Sequence, residues 1–567
     1  MQVLKQLPQD ASFDLGVIGA GGAGLAAALF AAMDGAKVLI VESTPYVGGT
    51  TALSAGTTWV PGTHHASKVN PQDSLIEAER YLTNAIGERS PHALRQAFLD
   101  NGPGAVKRIE EQSEVKFRPY PKHPDYISDL GGSTLNGRAL EPLPFDGRLL
   151  GELFALIRPP IPEFTVLGGM MVDRTDINHL LGMTQSWASL RHSIKILARH
   201  GLDRLRYPRG TRLVMGNALI GRLLYSLSKF DHVSLLLNTS LAGVQQDSGT
   251  VRAVDLQQGT QRSTVKVGRG VVLASGGFNR HPELREQLLP GVDTQWCPAA
   301  PGHTGSAQDA AKMLGAHFGP SGLSPAFWAP VSIRKRDDGT QAVFPHFVMD
   351  RAKPGMLTVN QKGERFVNES TSYHLFGLAM QAAESAVPAY LICDARALRQ
   401  YGIGMVRPGG KGLEPFLVDG YLTVGNNLDE LAQKLNIDAV GLKSSVEKIA
   451  SYAASGSDPD FGRGVTAYQQ NLGDPTWQGK NPNLAALTEA PFYAVRVYPG
   501  DIGASTGLET NVNAQVLGSA GTPIAGLYAV GNDMHSIMGG VYTAPGITIG
   551  PGLVFAHIAV RHALRTA

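Results

Sequence analysis

Cysteine is scarce in this chain of 567 residues: Cys297 and Cys393 are the only two, and they lie far apart. This excludes a disulfide scaffold and any metal site built on closely spaced cysteines, so we expect a reducing, cytoplasmic environment and no metal. Net charge is equally small, at +2, and only 17% of the residues are charged. Nothing in that balance favours a nucleic-acid partner.

Uninterrupted apolar runs long enough to cross a membrane are also missing. The longest candidate, residues 15–33, is broken by five glycines. We therefore predict no transmembrane helix. The first twelve residues are mostly polar, so we expect no signal peptide.

Glycine, by contrast, is abundant, and its 67 copies cluster in motifs. Residues 14–18 read as a buried strand that runs into GAGGAG at residues 19–24. A helix is predicted over 25–33 and a second strand over 36–41, followed by Glu42. Glycines let the backbone approach a pyrophosphate, the helix N-terminus attracts its charge, and an acidic residue about 20 positions later binds ribose. This order predicts a Rossmann-type dinucleotide site.

Three further stretches favour FAD over NAD. Residues 44–54 read TPYVGGTTALS, residues 526–532 read GLYAVGN, and residues 546–552 read GITIGPG. A C-terminal stretch that returns to the nucleotide site is expected of a two-part FAD domain. The predicted cofactor-binding residues are Gly19, Gly21, Gly22, Ala23, Gly24, Glu42, Ser43, Gly49, Thr50, Thr51, Ser54, Gly56, Ala274, Gly276, Gly531, Asn532, Ile547 and Ile549.

The chain changes from glycine-rich motifs to longer loops and back again, which predicts an α/β fold in three parts. Residues 1–283 form the first part of a Rossmann-type FAD-binding domain, with an extra segment at about 145–212. Residues 284–487, richer in loops, form an inserted α+β catalytic or capping domain. Residues 488–567 complete the FAD-binding domain.

These motifs resemble the fumarate reductase/3-ketosteroid dehydrogenase superfamily of flavoproteins. The resemblance extends along nearly the whole chain, through GAGGAG, GGTTALSAGTTWVPG, VVLASGGFNRHPELR, GERFVNES and GLYAVGN. A fumarate reductase must bind two carboxylates, for which arginine is the suited residue. No arginine lies between Val512 and Val560, so dicarboxylate reduction is disfavoured.

Within the superfamily the chain is similar to 3-ketosteroid Δ1-dehydrogenases, through Tyr542 with Gly546, Tyr373 and Tyr126. The resemblance implies that the Tyr542 hydroxyl and the Gly546 N–H hold the C3 carbonyl of a 3-ketosteroid, with or without a side chain. Tyr373 would remove a C2 proton, and hydride would pass from C1 to the flavin N5. Tyrosine has a pKa of about 10, so we expect a hydrogen bond from Tyr126 to favour the ionised base. An external electron acceptor, unidentified by the sequence, is implied.

Three other functions stay open. A 3-ketosteroid Δ4-dehydrogenase would need its base on the other side of the ring, and Ala544 offers no hydroxyl between Tyr542 and Gly546. A fumarate-reductase-like reductase is the second. The third is a non-catalytic flavin-binding protein.

The extra segment contains an amphipathic basic helix. Its apolar face carries Trp187, Leu190, Ile194 and Leu197, flanked by Arg191, Lys195 and Arg199. Such a helix suits peripheral contact with the inner face of the cell membrane, where sterols partition. The alternative is an ordinary helix that packs its apolar face on the protein body.

Overall fold

Two β-sheets organise the chain, one of nine strands and one of six. The computed structural model describes residues 1–9, 11–336, 338–347 and 350–565. The α-helices of these residues are Gly22–Met33, Ala66–Val69, Leu75–Ile86, His92–Gln112, Arg174–Leu181, Trp187–Asp203, Met215–Ser228, Pro282–Leu288, Ser306–Lys312, Tyr373–Ala382, Ala395–Tyr401, Glu414–Val418, Leu428–Leu435, Ala439–Ser455, Ala467–Leu472 and Ile549–Arg565.

The nine-stranded sheet is parallel through its centre. Its parallel strands lie in the order Gln2–Leu4, Val233–Leu236, Val38–Val41, Ser12–Ile18, Gln261–Leu273 and Pro523–Ala529. Strands Ser240–Asp247, Thr250–Gln258 and Gln515–Leu517 add antiparallel pairings. The central strands are buried on both faces, which is why they read as continuous apolar runs. The predicted α/β class is confirmed.

One alanine-rich helix lies at the centre of this domain. Gly22–Met33 is buried along most of its length and packs against Met215–Ser228 and Ile549–Arg565. Alanine and glycine side chains let helix axes approach closely, because little side-chain volume separates them. This close packing fixes the position of the helix, which begins shortly after the strand Ser12–Ile18 ends.

The C-terminal part of the chain completes the nucleotide domain. Strand Pro523–Ala529 pairs with Gln261–Leu273, and Asp533 then crosses to the turn that follows the latter strand. The Asp533 carboxylate accepts hydrogen bonds from the backbone N–H and hydroxyl of Ser275 and from the N–H of Gly277. This fully buried carboxylate joins segments 258 residues apart.

The six-stranded sheet is antiparallel and lies in the second lobe. Its strands run in the order Gln341–Pro345, Ala326–Lys335, Phe492–Ala504, Ala389–Asp394 and Met356–Val359, with Thr423–Gly425 also paired to Phe492–Ala504. The boundary at residues 487/488 stays a prediction, although the strand after it belongs to this sheet. A three-stranded sheet of Thr58–Trp59, Ala139–Pro142 and Phe117–Pro119 lies nearby.

The extra segment forms a small helical subdomain. It begins with strand Phe145–Asp146, paired to Arg212–Leu213, and includes the strands Thr165–Val166 and Met170–Met171. Helix Trp187–Asp203 turns Ser193, Ile196, His200 and Asp203 inward. No helix among the described residues is both long enough and apolar enough to cross a membrane.

Candidate active site

One cavity of about 350 Å³ runs from the glycine motif to the tyrosines. Its walls come from both lobes and from the C-terminal segment. All four predicted catalytic residues line it. So do most of the predicted cofactor-binding residues, namely Gly19, Gly21, Gly22, Ala23, Glu42, Ser43, Gly49, Thr50, Thr51, Ser54, Gly56, Ala274, Gly276, Gly531, Asn532 and Ile549.

The helix N-terminus at the glycine motif is open towards this cavity. No side chain caps Gly22–Met33 and no acidic residue lies in its first turn, so its first N–H groups are available to a phosphate. A Cβ built on Gly21 meets no protein atom within 4 Å, so the space above that residue is free. These features fit the pyrophosphate of FAD.

Two predicted residues lie behind the cavity wall. A Cβ on Gly24 would stand 1.9 Å from the carbonyl oxygen of Gly19, so Gly24 lets the helix touch the strand end. Ile547 is buried and lines a smaller adjoining space with Phe327 and Asn532. Both residues were predicted to contact FAD, but the structure places them behind the residues that line the cavity.

Glu42 is held at the end of strand Val38–Val41, as a ribose-binding residue must be. Its carboxylate accepts from the Ala20 N–H at 2.9 Å and from the Thr44 hydroxyl at 2.7 Å. Arg158, which sequence reasoning missed, donates to that same Thr44 hydroxyl at 2.8 Å. The Nε of Arg158 and the Nδ1 of His303 are buried without a partner among the described residues, so the Arg158 Nε–H can donate to the cofactor, and the His303 Nδ1 can donate or accept according to its tautomer.

The three predicted tyrosines converge at the other end of the cavity. The Tyr126 hydroxyl donates to the Tyr373 hydroxyl at 3.0 Å. The Tyr373 and Tyr542 ring centroids lie 5.0 Å apart, and the Tyr126 and Tyr542 rings stack at 5.7 Å. Each side chain comes from a different part of the fold: Tyr126 follows a loop, Tyr373 begins a helix, and Tyr542 precedes the last helix.

Burial controls the ionisation of this cluster. Loss of solvent raises the pKa of Tyr373 well above its ordinary value, and the neighbouring Tyr126 and Tyr542 raise it further. Burial also raises the pKa of Tyr126, while its hydrogen bond to Tyr373 and the charge of Arg351 lower it. Tyr373 is therefore neutral at pH 7, and base catalysis requires a group that favours the anion.

Gly546 lies where only glycine fits. Its φ is +88°, and an added Cβ would stand 2.3 Å from the Thr57 carbonyl oxygen and 2.8 Å from the Thr58 nitrogen. Because the Gly546 backbone packs this closely on the backbone of Thr57 and Thr58, the direction of its N–H is fixed. Tyr542, four residues earlier, lines the same cavity.

Several further residues in this wall or directly behind it carried no recognisable signal. Tyr468 lies behind the lining, with its ring tilted against that of Tyr126 at a centroid distance of 4.7 Å and its hydroxyl beside Arg351. Phe327 packs edge-on against Tyr542 at 5.0 Å. His123 lies in the lining, and burial lowers its pKa to about 3, so it is neutral. Isolated aromatic residues without a motif could not have been distinguished from core residues in the sequence.

One cluster of metal-ligand types lies outside the cavity lining in the described chain. His65 and His64 place their Nε2 atoms 2.8 and 3.1 Å from the same oxygen of Glu110. Hydrogen bonding between imidazole and carboxylate accounts for this geometry, so it adds no group to the active site.

Comparison with known proteins agrees with this geometry. The sequence profile of the FAD binding domain family matches residues 14–549. A 4-oxocyclohex-2-ene-1-carboxylate 5-dehydrogenase from Sinomonas cyclohexanicum is 37% identical over 98% of this chain and 94% of its own length. A 3-oxosteroid 1-dehydrogenase from Mycolicibacterium smegmatis is 32% identical over 98% of each chain.

A solved structure extends the similarity to the fold. The crystal structure of 3-ketosteroid Δ1-dehydrogenase from Sterolibacterium denitrificans, in complex with 1,4-androstadiene-3,17-dione, superposes with a TM-score of 0.90. The two chains are 32% identical, over 98% of this chain and 100% of the other. The predictions of FAD and of the family are confirmed. The chain therefore belongs to the FAD-binding family that includes the 3-oxosteroid 1-dehydrogenases, and it is an FAD-dependent oxidoreductase acting on CH–CH groups.

Proposed function

We propose that the protein removes hydrogen from C1 and C2 of a 3-ketosteroid. The observation that carries this is the meeting of Tyr126, Tyr373 and Tyr542 with Gly546 in the cavity that also receives FAD. Such an arrangement offers a base and two hydrogen-bond donors in one apolar space, which is what a reaction beside a ketone requires.

Each residue has a distinct part in this proposal. The Tyr542 hydroxyl and the Gly546 N–H donate to the C3 oxygen and stabilise the negative charge that develops there. Tyr373, which accepts a hydrogen bond from Tyr126, takes the C2 proton. FAD, when bound, accepts the hydride from C1. Aromatic side chains such as Phe327 exclude water from the reacting carbons.

The charge of the cavity favours a neutral substrate. Arg158 is the only lysine or arginine in the lining formed by described residues, and it lies at Glu42, at the nucleotide end. Burial lowers the pKa of His123 to about 3 and that of His303 to about 4, so neither carries charge at pH 7. A steroid ketone needs no counter-ion, whereas a carboxylate does.

A second candidate has sequence similarity in its favour. The 37% identical relative is named for a cyclic oxo-carboxylate, 4-oxocyclohex-2-ene-1-carboxylate. The same base and ketone donors suit dehydrogenation of that ring. Among the described residues, the tyrosine end of the lining holds no lysine or arginine for its carboxylate, which makes it the weaker candidate.

One experiment separates the two. The FAD-loaded protein is mixed anaerobically with androst-4-ene-3,17-dione or with 4-oxocyclohex-2-ene-1-carboxylate, while flavin absorbance and product are followed. We expect the steroid to bleach the flavin and gain a 1,2-double bond. Bleaching by the carboxylate alone would transfer the proposal to the second candidate, and bleaching by neither would refute both.

We further propose that the extra segment binds an anionic lipid surface. Seven of the eighteen exposed large apolar side chains in the described chain lie in residues 145–212, including Trp187 at 78% and Leu205 at 80% exposure. Of the apolar face predicted for helix Trp187–Asp203, Trp187 and Ile194 are exposed, whereas Leu190 is half-buried and Leu197 packs against a small apolar cluster of the segment. Ile161, from the same segment, lines the cavity, so lipid-dissolved substrate would have a short path.

The distribution of charge also supports binding of this segment to an anionic lipid surface. The only acidic residue between residues 177 and 206 is Asp203, which is buried and accepts from the Thr211 hydroxyl. Arg191, Lys195, Arg204 and Arg206 are exposed around the apolar side chains. Basic residues around an apolar patch match the headgroups and acyl boundary of an anionic membrane.

Vesicle sedimentation tests the surface. We expect the protein to pellet with phosphatidylglycerol vesicles more than with phosphatidylcholine vesicles, and the double variant Trp187→Ala/Leu205→Ala to bind about tenfold more weakly. Val440→Ala, which truncates a 75% exposed apolar residue elsewhere, is the matched control. Equal pelleting of both variants would refute the assignment.

A further inference from the structure

A buried arginine lies behind the tyrosine cluster. Arg351 is 1% exposed. Its Nε donates to the His346 carbonyl at 3.0 Å, its Nη1 to the Glu369 and Thr371 carbonyls at 2.5 and 2.6 Å, and its Nη2 to the Phe347 carbonyl at 2.9 Å. Thr371 is two residues before Tyr373, and the Phe347 ring packs on that of Tyr373 at 4.9 Å. The guanidinium is thus fixed next to the base.

Its bonding differs from that of the other fully buried arginines. Arg138 and Arg463 both form ion pairs with buried carboxylates, at 2.6 and 3.1 Å. The Arg351 guanidinium donates to neutral backbone carbonyls and lies beside the neutral hydroxyl of Tyr468. Asp350 is adjacent, but its carboxylate is directed to His346, to the Gly404 N–H and to the Arg351 backbone N–H. A buried cation without a direct counter-ion is costly unless an anion forms nearby.

We propose, resting on the base role given to Tyr373, that Arg351 is an electrostatic positioning residue whose uncompensated charge stabilises the anion shared by Tyr126 and Tyr373. Tyr468 lies between this charge and the pair: its ring packs, tilted, against that of Tyr126 at 4.7 Å, and its hydroxyl lies beside Arg351. Burial raises the pKa of Tyr468 to about 12, and Arg351 opposes that rise. Arg351 likewise lowers the pKa of Tyr126.

The other groups around the pair supply no such charge. Burial raises the pKa of Tyr542 and of Tyr468, so both are neutral phenols and carry no positive charge. Burial holds the pKa of His123 at about 3 and that of His374 at about 4, so both imidazoles are neutral. Asp350 is the nearby anion: although burial raises its pKa, His346 and backbone N–H groups hold it far below the usual range. Arg351 is therefore the cation that acts on both Tyr126 and Tyr373, and Asp350 is the anion that acts on Arg351. Arg174, a further cation nearby, acts on His123 and Tyr120.

Three substitutions separate charge from scaffolding. Arg351→Gln removes the charge but keeps N–H donors for the carbonyls, and Arg351→Lys keeps the charge but loses the planar fork. Asp350→Asn removes the opposing negative charge and keeps an acceptor for the two N–H groups. If the charge of Arg351 stabilises the anion, Arg351→Gln and Asp350→Asn must shift the ionisation of the tyrosine pair in opposite directions.

Tyrosine ionisation is measured directly on the FAD-loaded protein without substrate, by NMR of tyrosines labelled at the ζ-carbon and titrated with base. The signals of the pair are assigned with Tyr126→Phe and Tyr373→Phe. We expect Arg351→Gln to move their ionisation upward by about one pH unit, a tenfold change in the ionisation constant. Arg351→Lys should move it by much less, and Asp350→Asn should move it downward.

Equal shifts in Arg351→Gln and Arg351→Lys would overturn the proposal, because scaffolding alone would then explain them. FAD content and cooperative melting show whether Arg351→Gln folds. If it does not, Asp350→Asn tests the proposal alone: ionisation of the tyrosine pair at an unchanged or higher pH in that variant would refute the role of charge. Because no substrate is used, absence of steroid turnover leaves this result interpretable and bears only on the proposed reaction.

Discussion

Replacing Gly546 by alanine tests the ketone-binding geometry at its most constrained point. The new Cβ would stand 2.3 Å from the Thr57 oxygen, whereas ordinary contacts lie beyond about 3 Å, so the backbone must move by roughly 0.7 Å or more. The positive φ of +88° adds about 1–2 kcal/mol of strain. Since a displacement of about 1 Å at a reacting centre costs about 100-fold in rate, we expect kcat/KM to fall about 100-fold.

The assay is anaerobic flavin bleaching by androst-4-ene-3,17-dione, with FAD content measured on the same sample. Gly249→Ala is the control, because Gly249 has a similar φ of +79° but no protein atom within 4 Å of the added Cβ. It should lose about 1 kcal/mol of stability and keep full activity. A Gly546→Ala protein with bound FAD and wild-type kcat/KM would refute the assignment of this N–H to the substrate.

Four further outcomes follow from the described contacts. Tyr126→Phe removes the donor to Tyr373 and should lower kcat about 10- to 100-fold in stopped-flow bleaching; an unchanged kcat would contradict the pairing. Because burial raises the pKa of Tyr373 and only its ionised form is a base, kcat/KM should climb as pH rises from 7 into the alkaline range, and a flat profile would exclude this base. Gly24→Ala should cost about 1–3 kcal/mol and release FAD, measured by the flavin-to-protein absorbance ratio, whereas Gly104→Ala, in an unobstructed helix interior, should retain it. Arg138→Met leaves two buried carboxylates without their partner and should lower the free energy of unfolding by about 3–5 kcal/mol in denaturant titration; a loss below about 1 kcal/mol would argue against the ion pairs.

Local patterns made the nucleotide half of the site predictable. The nucleotide motif occupies 31 residues, from Ser12 to Glu42, in the order strand, GAGGAG, helix and Glu42. Each of its elements depends mainly on its own sequence. The three tyrosines were predicted to converge through the motifs around them, and the structure does place them together. Their catalytic roles remain a prediction.

Distant contacts could not be predicted in the same way. Arg351 and Tyr468 lie in no motif. They come close to Tyr126 only in the folded chain, where the lobe of the six-stranded sheet packs against the nucleotide domain. Helix Trp187–Asp203 shows a second limit. Its apolar face was visible in the sequence, but His200 and Asp203 are turned inward because they bond the Leu167 carbonyl and the Thr211 hydroxyl, which periodicity does not reveal.

The bond between Asp533 and the turn at Ser275 has a consequence for synthesis on the ribosome. Until residues 523–533 emerge, residues 271–273 of strand Gln261–Leu273 are paired only with strand Ser12–Ile18 and their other edge is open, and the turn that approaches the cofactor lacks its hydrogen bonds to Asp533. More than nine-tenths of the polypeptide is therefore translated before the dinucleotide pocket can close. A nascent chain carries an open sheet edge throughout that interval, so cofactor capture is a late, essentially post-translational event and premature termination yields only flavin-free fragments.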